Sequence, residues 1–185
     1  YQYVDASMEK VYKNNPLVYA DGMRVHTLQR LAEMKNYTTG QQPCLTDPAV
    51  YDTVLKNVRS ILNRNPNATV ISVSQNDSYE EQLGCQCANC RALNEKYGTE
   101  GGALFAFVNR IARDLRGDYP QVWVETLAYR YSIVPPKDMI FEDNVLVMMC
   151  TMDLCCNHAI DDPGCTRNYR YAGYLENWSK ICSHL

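Results

Sequence analysis

The sequence predicts an α/β domain in which parallel strands are joined by crossover helices. Three observations predict it. Helix-like and strand-like segments alternate along the chain, as βα units require. The three strand-like segments are near-continuous apolar runs, the pattern of strands covered on both faces. Polar side chains gather just past the C-terminal ends of those runs, where parallel sheets of this class bind ligands.

Residues 1–46 are the least regular part. Asn14-Asn15-Pro16 and Asp21-Gly22 are turn signals, and Val25, Leu28, Leu31 and Ala32 predict a short helix over 25–34 that Thr38-Thr39-Gly40 breaks. The βα units occupy 47–185, and the whole chain reads as a single domain. Thr46-Asp47-Pro48 starts a helix: Thr46 or Asp47 can cap it, and Pro48 suits the first turn, where its missing N–H costs nothing. Val50, Val54, Val58, Ile61 and Leu62 give that helix one apolar face, and Asn65-Pro66-Asn67 ends it. A strand follows over 69–74. A short helix is predicted over 90–97, closed by Gly98, and a longer one over 103–115, closed by Gly117 and Pro120. QVWVETLAY (121–129) is the second strand and NVLVMMC (144–150) the third. Pro135-Pro136 marks the loop between them. A polar, cysteine-rich loop over 151–165 leads to a last helix over 168–182, with Tyr171, Leu175, Trp178 and Ile181 in helical register.

Of the 185 residues, 46% are hydrophobic and 21% charged, enough apolar mass for one core. The net charge of −3 is spread without runs, so there is no basic footprint for nucleic acid. No apolar run approaches the ~20 residues that span a bilayer. The chain opens YQYVDASMEK without an initiator Met, from which we expect an upstream segment to have been removed. Nine cysteines are many for this length, and an odd number cannot all pair within one chain. Disulfides would place the protein outside the cytosol, in a secreted or periplasmic setting. Bound metal or free thiols would fit the cytoplasm. Asn36-Tyr-Thr, Asn67-Ala-Thr and Asn76-Asp-Ser match the short glycosylation pattern.

The candidate site residues follow from the strand ends. Asn76 and Asp77 close the first strand. Asp77 is either a functional carboxylate or the cap of an Asn-Asp-Ser turn. Glu125 lies inside the second strand, where a covered carboxylate is expensive unless partnered. It either faces a substrate or forms a buried salt bridge with an Arg or Lys. Tyr129 and Tyr131 stand at the second strand's mouth, and Asp153 and His158 beyond the third. His158 is the only histidine the pattern places at a strand mouth, and a lone histidine is more often a loop hydrogen-bonder than a base. Asp161-Asp162-Pro163 most simply make a turn. Cys85-x-Cys87-x-x-Cys90 supplies three ligands of a tetrahedral zinc site, with a fourth among Cys155, Cys156, His158 and Cys165. Disulfides between the same two loops are the alternative. Either arrangement is structural, and no Cys-His spacing supports a catalytic thiol.

SVSQNDSYEEQLGCQCANC, FVNRIARDLRGDYPQVWVETLAYRYSIVPP, NVLVMMCTMDLCCNHAIDDPGC and NWSKIC resemble a bacterial family of uncharacterised, glycoside-hydrolase-like domains common in gut Bacteroidetes and Firmicutes. That family is related in layout to α-glucuronidase and hexosaminidase barrels. The resemblance runs from about Gln42 to the C-terminus and matches the first forty residues poorly. It implies that the chain is part of a (β/α)8 TIM barrel, since a full barrel needs at least ~200 residues and eight strands. It implies that Asp77 is one of the two carboxylates of glycoside hydrolysis, with its partner further along the barrel. Asn76, Glu125, Tyr129, Tyr131 and Asp153 then become sugar contacts, the tyrosines through ring stacking and hydroxyl bonds.

The expectation is a fragment of a glycoside hydrolase, acting on poly- or oligosaccharides and without full activity alone. It needs no cofactor for catalysis and carries a structural zinc if the cysteines are not oxidised. A non-catalytic carbohydrate-binding or scaffold domain is one alternative, and a small zinc-stapled α/β interaction domain another. Carbohydrate is the expected partner, and open sheet edges would favour self-association.

Overall fold

The computed structural model describes residues 17–22, 24–79 and 81–185. The turn predicted at Asn14-Asn15-Pro16 lies outside them. Helix α1 spans only Leu28–Leu31, shorter than the periodicity suggests. His26 before it and Glu33 after it both take positive φ, and L-residues in that region do not continue a right-handed helix. Helix α2 covers Pro48–Arg64. The Asp47 carboxylate accepts the Ala49 N–H, and Tyr51, Val54, Val58, Ile61 and Leu62 are buried. Strand β1 is Val70–Ser72. Helix α3 is Ala88–Tyr97; Cys87 caps its start, and Gly98 ends it at φ 63°, a left-handed C-cap. Helix α4 is Gly102–Leu115. A Cβ on Gly102 would lie 2.6 Å from the Leu93 carbonyl oxygen, so glycine there lets α3 and α4 approach closely.

Strand β2 is Trp123–Ala128, followed by a 3₁₀ turn at Arg130–Ser132. Strand β3 is Val145–Met149, and helix α5 spans Thr166–Ile181. Helix α5 departs from its predicted face at one position. Tyr171 and Trp178 are buried, but Leu175 is 39% exposed. Trp178 packs edge-on against Phe105 of α4 and beside Phe141, and its indole N–H donates to the Ile133 carbonyl.

The sheet has the order β1-β2-β3, parallel throughout, with Ser72 opposite Glu125 and Glu125 opposite Leu146. Its outer edges are partly occupied by the chain itself. Tyr19 forms a parallel bridge with Val70 beyond β1, and the His184 carbonyl accepts the Val147 N–H beyond β3. Alternate strand residues face opposite sides. Ile71, Val73, Val124, Ala128, Val145 and Val147 join one core with residues of α1, α2, α4 and α5. Val70, Leu127 and Leu146 are buried but stand outside that core, as does Glu125. Helices α1, α2, α4 and α5 therefore share one face of the sheet, and α3 packs on α4. Each fully buried Val, Leu or Ile of that core contributes roughly 1.5–3 kcal/mol of transfer free energy.

Candidate functional site

Three polar groups converge at the C-terminal end of the sheet. Asp77 ends the segment that follows β1, and its side chain is 54% exposed. Its Oδ1 accepts the Tyr129 hydroxyl at 3.1 Å and the Ser78 N–H at 2.9 Å. Turn cap and exposed rim carboxylate are thus the same residue. His26 Nε2 lies 3.8 Å from the same oxygen. His26 Nδ1 is 3.0 Å from the Gln75 carbonyl, which makes Nδ1 the donor and turns Nε2 toward Asp77. The Tyr129 ring is buried beside His26, with centroids 5.7 Å apart. Burial above all, with the Asp77 carboxylate adding, pushes the Tyr129 phenol up and keeps it a hydrogen-bond donor. An open cleft of about 420 Å³ begins at His26, bounded by Gln29, Arg30, Glu33 and Met34. A carboxylate held between a neutral phenol and an imidazole can take up and return a proton. The pattern had singled out His158 as the rim histidine. The histidine beside Asp77 is His26, while His158 lies with Cys155 beyond β3, and no feature of the sequence signals His26.

Asn76 lies behind this rim, fully buried. Its carboxamide accepts the Gln29 N–H and donates to the Gln41 carbonyl and Met34 Sδ, while Gln42 bonds its backbone on both sides. The side chain braces the rim rather than facing solvent. Gln75 beside it is also fully buried and accepts the Ser132 hydroxyl, which links the ends of β1 and β2.

Asp153 stands beyond β3, where its Oδ2 meets Arg130 Nη1 at 3.4 Å and the Tyr171 hydroxyl at 3.3 Å. Arg130 in turn lies against the Tyr129 ring, so Asp77 and Asp153 are joined through Tyr129 and Arg130. Tyr131 is buried, and burial drives its phenol far up. It contributes to an open cleft of about 450 Å³ with Arg91, Glu95 and Glu100, beside the cysteine loop rather than at Asp77. Glu125 is buried in mid-sheet. The salt bridge considered for it does not form among the described residues. The Tyr19 hydroxyl donates to Oε2, and Oε1 has no hydrogen-bond partner. Burial raises its pKa to about 7 against the opposing pull of Tyr19, Ser72 and Arg24.

Cys85, Cys87 and Cys90 come together with Cys44, all four sulfurs within 4.8 Å of one another. Cys44 Sγ is 3.7 Å from Cys87 Sγ and 3.9 Å from Cys90 Sγ. A tetrahedral zinc with ~2.3 Å Zn–S bonds has S···S edges of about 3.8 Å, so these residues fit such an ion. The Cys90 N–H points at Cys87 Sγ, and with the Thr46 hydroxyl it lowers the Cys87 thiol to about 6. Burial pushes Cys85 up to about 12 and raises Cys90. None of the nine cysteines is joined to another by a disulfide in this structure.

The fourth member is not drawn from the loop after β3, as the spacing had suggested. β1 and β3 are not neighbours, so β2 keeps their loops apart. Cys44 arrives by a shorter route. Helix α2 runs back along β1, so the segment that leads into it, with Cys44 four residues before Pro48, lies at the strand's C-terminal end. Cys155, His158 and Cys165 form a group of their own, with Cys156 outside both clusters. The Asn157 N–H and then His158 lower the Cys155 thiol, and Cys155 raises His158.

No curated protein and no solved structure matches the chain. The profile of DUF4838, a domain of unknown function, matches residues 4–185. The match includes residues 4–41, which the motif resemblance does not cover. The chain belongs to the DUF4838 family.

Proposed function

We propose that the chain is a run of βα units from a (β/α)8 barrel of a carbohydrate-active protein, with Asp77 as the rim carboxylate that carries protons. The observation that carries this reading is the meeting of Asp77, Tyr129 and His26 past the ends of adjacent strands. The strand order supports the barrel. When each parallel strand adds on the same side of its predecessor, right-handed crossovers put every helix on one face. A doubly wound sheet reverses its order and carries helices on both. Here the order is sequential, helices α1, α2, α4 and α5 share one face, and backbone pairing at Tyr19 and His184 extends the sheet on both sides. Glycoside hydrolysis needs a second carboxylate. Asp153, tied to Arg130 and Tyr171, is better suited to orienting a sugar, and the partner of Asp77 belongs to another strand of the barrel.

Cys44, Cys85, Cys87 and Cys90 hold a structural zinc in this reading. It staples the start of α2 to the start of α3, beneath the loop that follows Asp77.

Saccharide binding tests the proposal. The chain is titrated with a panel of neutral and acidic oligosaccharides, followed by amide chemical shifts. Binding that moves the Asp77 and Tyr129 signals and is lost in Asp77→Asn supports it. No binding across the panel by a folded, zinc-loaded chain sinks it and favours a zinc-stapled interaction domain, for which the four-cysteine cluster speaks.

A further inference from the structure

We propose that Cys155, His158 and Cys165 form a second metal centre, a three-ligand site for a zinc-class divalent cation that is separate from the four-cysteine cluster. Their ligand atoms lie within 4.8 Å of one another. Cys155 Sγ is 3.1 Å from His158 Nδ1. In a tetrahedral zinc site with ~2.3 Å Zn–S and ~2.05 Å Zn–N bonds, the S···N edge is about 3.6 Å. The pair therefore needs to open by only about half an ångström to admit the ion.

The surroundings are those of a ligand set held in place from behind. Asn168, 1% exposed in the first turn of α5, turns its whole carboxamide to the loop. Its Oδ1 accepts the Cys155 N–H at 2.7 Å. Its Nδ2 donates to the Cys155, His158 and Ala159 carbonyls at 2.9, 3.0 and 3.1 Å. One buried side chain thus fixes the backbone of two of the three ligands, as outer-shell groups do around bound metals. Cys165 is the N-cap residue of α5 and is buried, so the rigid start of the helix fixes the position of the third ligand. Asp162 is engaged elsewhere, accepting the Gly164 N–H. Residues 156–161 are exposed, which leaves the fourth coordination position to water or an exogenous ligand. A Cys155–Cys165 disulfide would explain two members of the group but not the imidazole aimed at the first.

The test uses the chain purified from zinc-supplemented culture, with metal counted by mass spectrometry. The wild type carries about two zinc ions, and Cys155→Ser/Cys165→Ser and Cys85→Ser/Cys90→Ser each carry about one. Cobalt distinguishes the sites. In Cys85→Ser/Cys90→Ser, Co²⁺ gives near-ultraviolet thiolate charge-transfer bands and visible d–d bands, and the d–d bands shift on adding imidazole, because one position is open. The milder His158→Gln weakens metal retention with the circular dichroism spectrum unchanged, which covers the case of a double variant that does not fold. The proposal is overturned if Cys155→Ser/Cys165→Ser keeps the wild-type metal count, or if the purified wild type carries a Cys155–Cys165 disulfide. Loss of the four-cysteine ion alone, with the second retained, would overturn only the zinc staple.

Discussion

The Tyr129 hydroxyl donates to Asp77 Oδ1 at 3.1 Å, across the ends of two neighbouring parallel strands. The contact depends on register. Ser72 lies opposite Glu125, so Asp77 and Tyr129 leave the sheet at nearly the same height. His26 reaches the same oxygen from the segment that precedes α1. A carboxylate, a phenol donor and an imidazole are thereby brought together by three stretches of chain that are distant in sequence.

Asp77→Asn keeps the turn, because the carboxamide oxygen can still accept the Ser78 N–H, but it removes the charge. We expect Tm to stay within about 2 °C of wild type. On the proposed reading, turnover of aryl glycosides by the proposed intact barrel should fall by roughly 100-fold or more, the usual contribution of a general acid or base. Tyr129→Phe should fall less and shift the pH optimum. Unchanged rates for Asp77→Asn would remove this residue from the chemistry.

Asn76→Ala leaves the Gln29 N–H and the Gln41 carbonyl without their partner in a part-buried setting. A fully buried group left unpartnered costs about 1–3 kcal/mol, which is the upper bound for each of these. Urea unfolding should show a lower midpoint with an unchanged slope. A midpoint equal to wild type would mean that the brace carries no stability.

Removing the ion proposed at Cys44, Cys85, Cys87 and Cys90 should loosen the starts of α2 and α3 together. A ligand held at about 100–1,000 times its Kd stabilises by about 3–4 kcal/mol, or roughly 6–16 °C in Tm for a chain of this size. Calorimetry with and without a strong chelator measures it. Cys44→Ser should reproduce the chelated curve, and a chelator-insensitive Tm would argue against a structural ion.

Glu125 makes stability depend on pH. Its pKa is about 7 in the fold against 4.5 ordinarily. A carboxyl raised in this way binds its proton more tightly when folded, so the full stability is present below pH 4.5 and declines as pH rises through 7. The span is roughly 3 kcal/mol. Glu125→Gln should flatten this slope between pH 5 and 8 and raise stability at pH 8. Denaturant midpoints across that range would reveal an unchanged slope if Glu125 were ionised in the fold.

Much of the architecture was legible because local rules agree with it. Asp47-Pro48 starts α2, Gly98 ends α3, and the apolar runs around Val70, Val124 and Val147 are the strands. Helix α1 was overextended because apolar spacing does not report the positive φ at His26 and Glu33. Leu175 was assigned to the core face because helical register does not say where a neighbouring element stops.

The candidate site was legible residue by residue but not as a constellation. Cys85-x-Cys87-x-x-Cys90 announced itself by spacing, whereas Cys44, 41 residues before Cys85, did not. By itself the sequence determined the α/β class, the order of its elements and the polar residues that end each strand. These follow from periodicity, caps and turn residues acting over a few positions. Tertiary structure alone decided that Cys44 completes the four-sulfur group, that Cys155, His158 and Cys165 stand apart from it, and that His26 and Tyr129 meet Asp77. Strand order and register set those distances, and both arise from burying one face of the sheet against helices contributed by the whole chain.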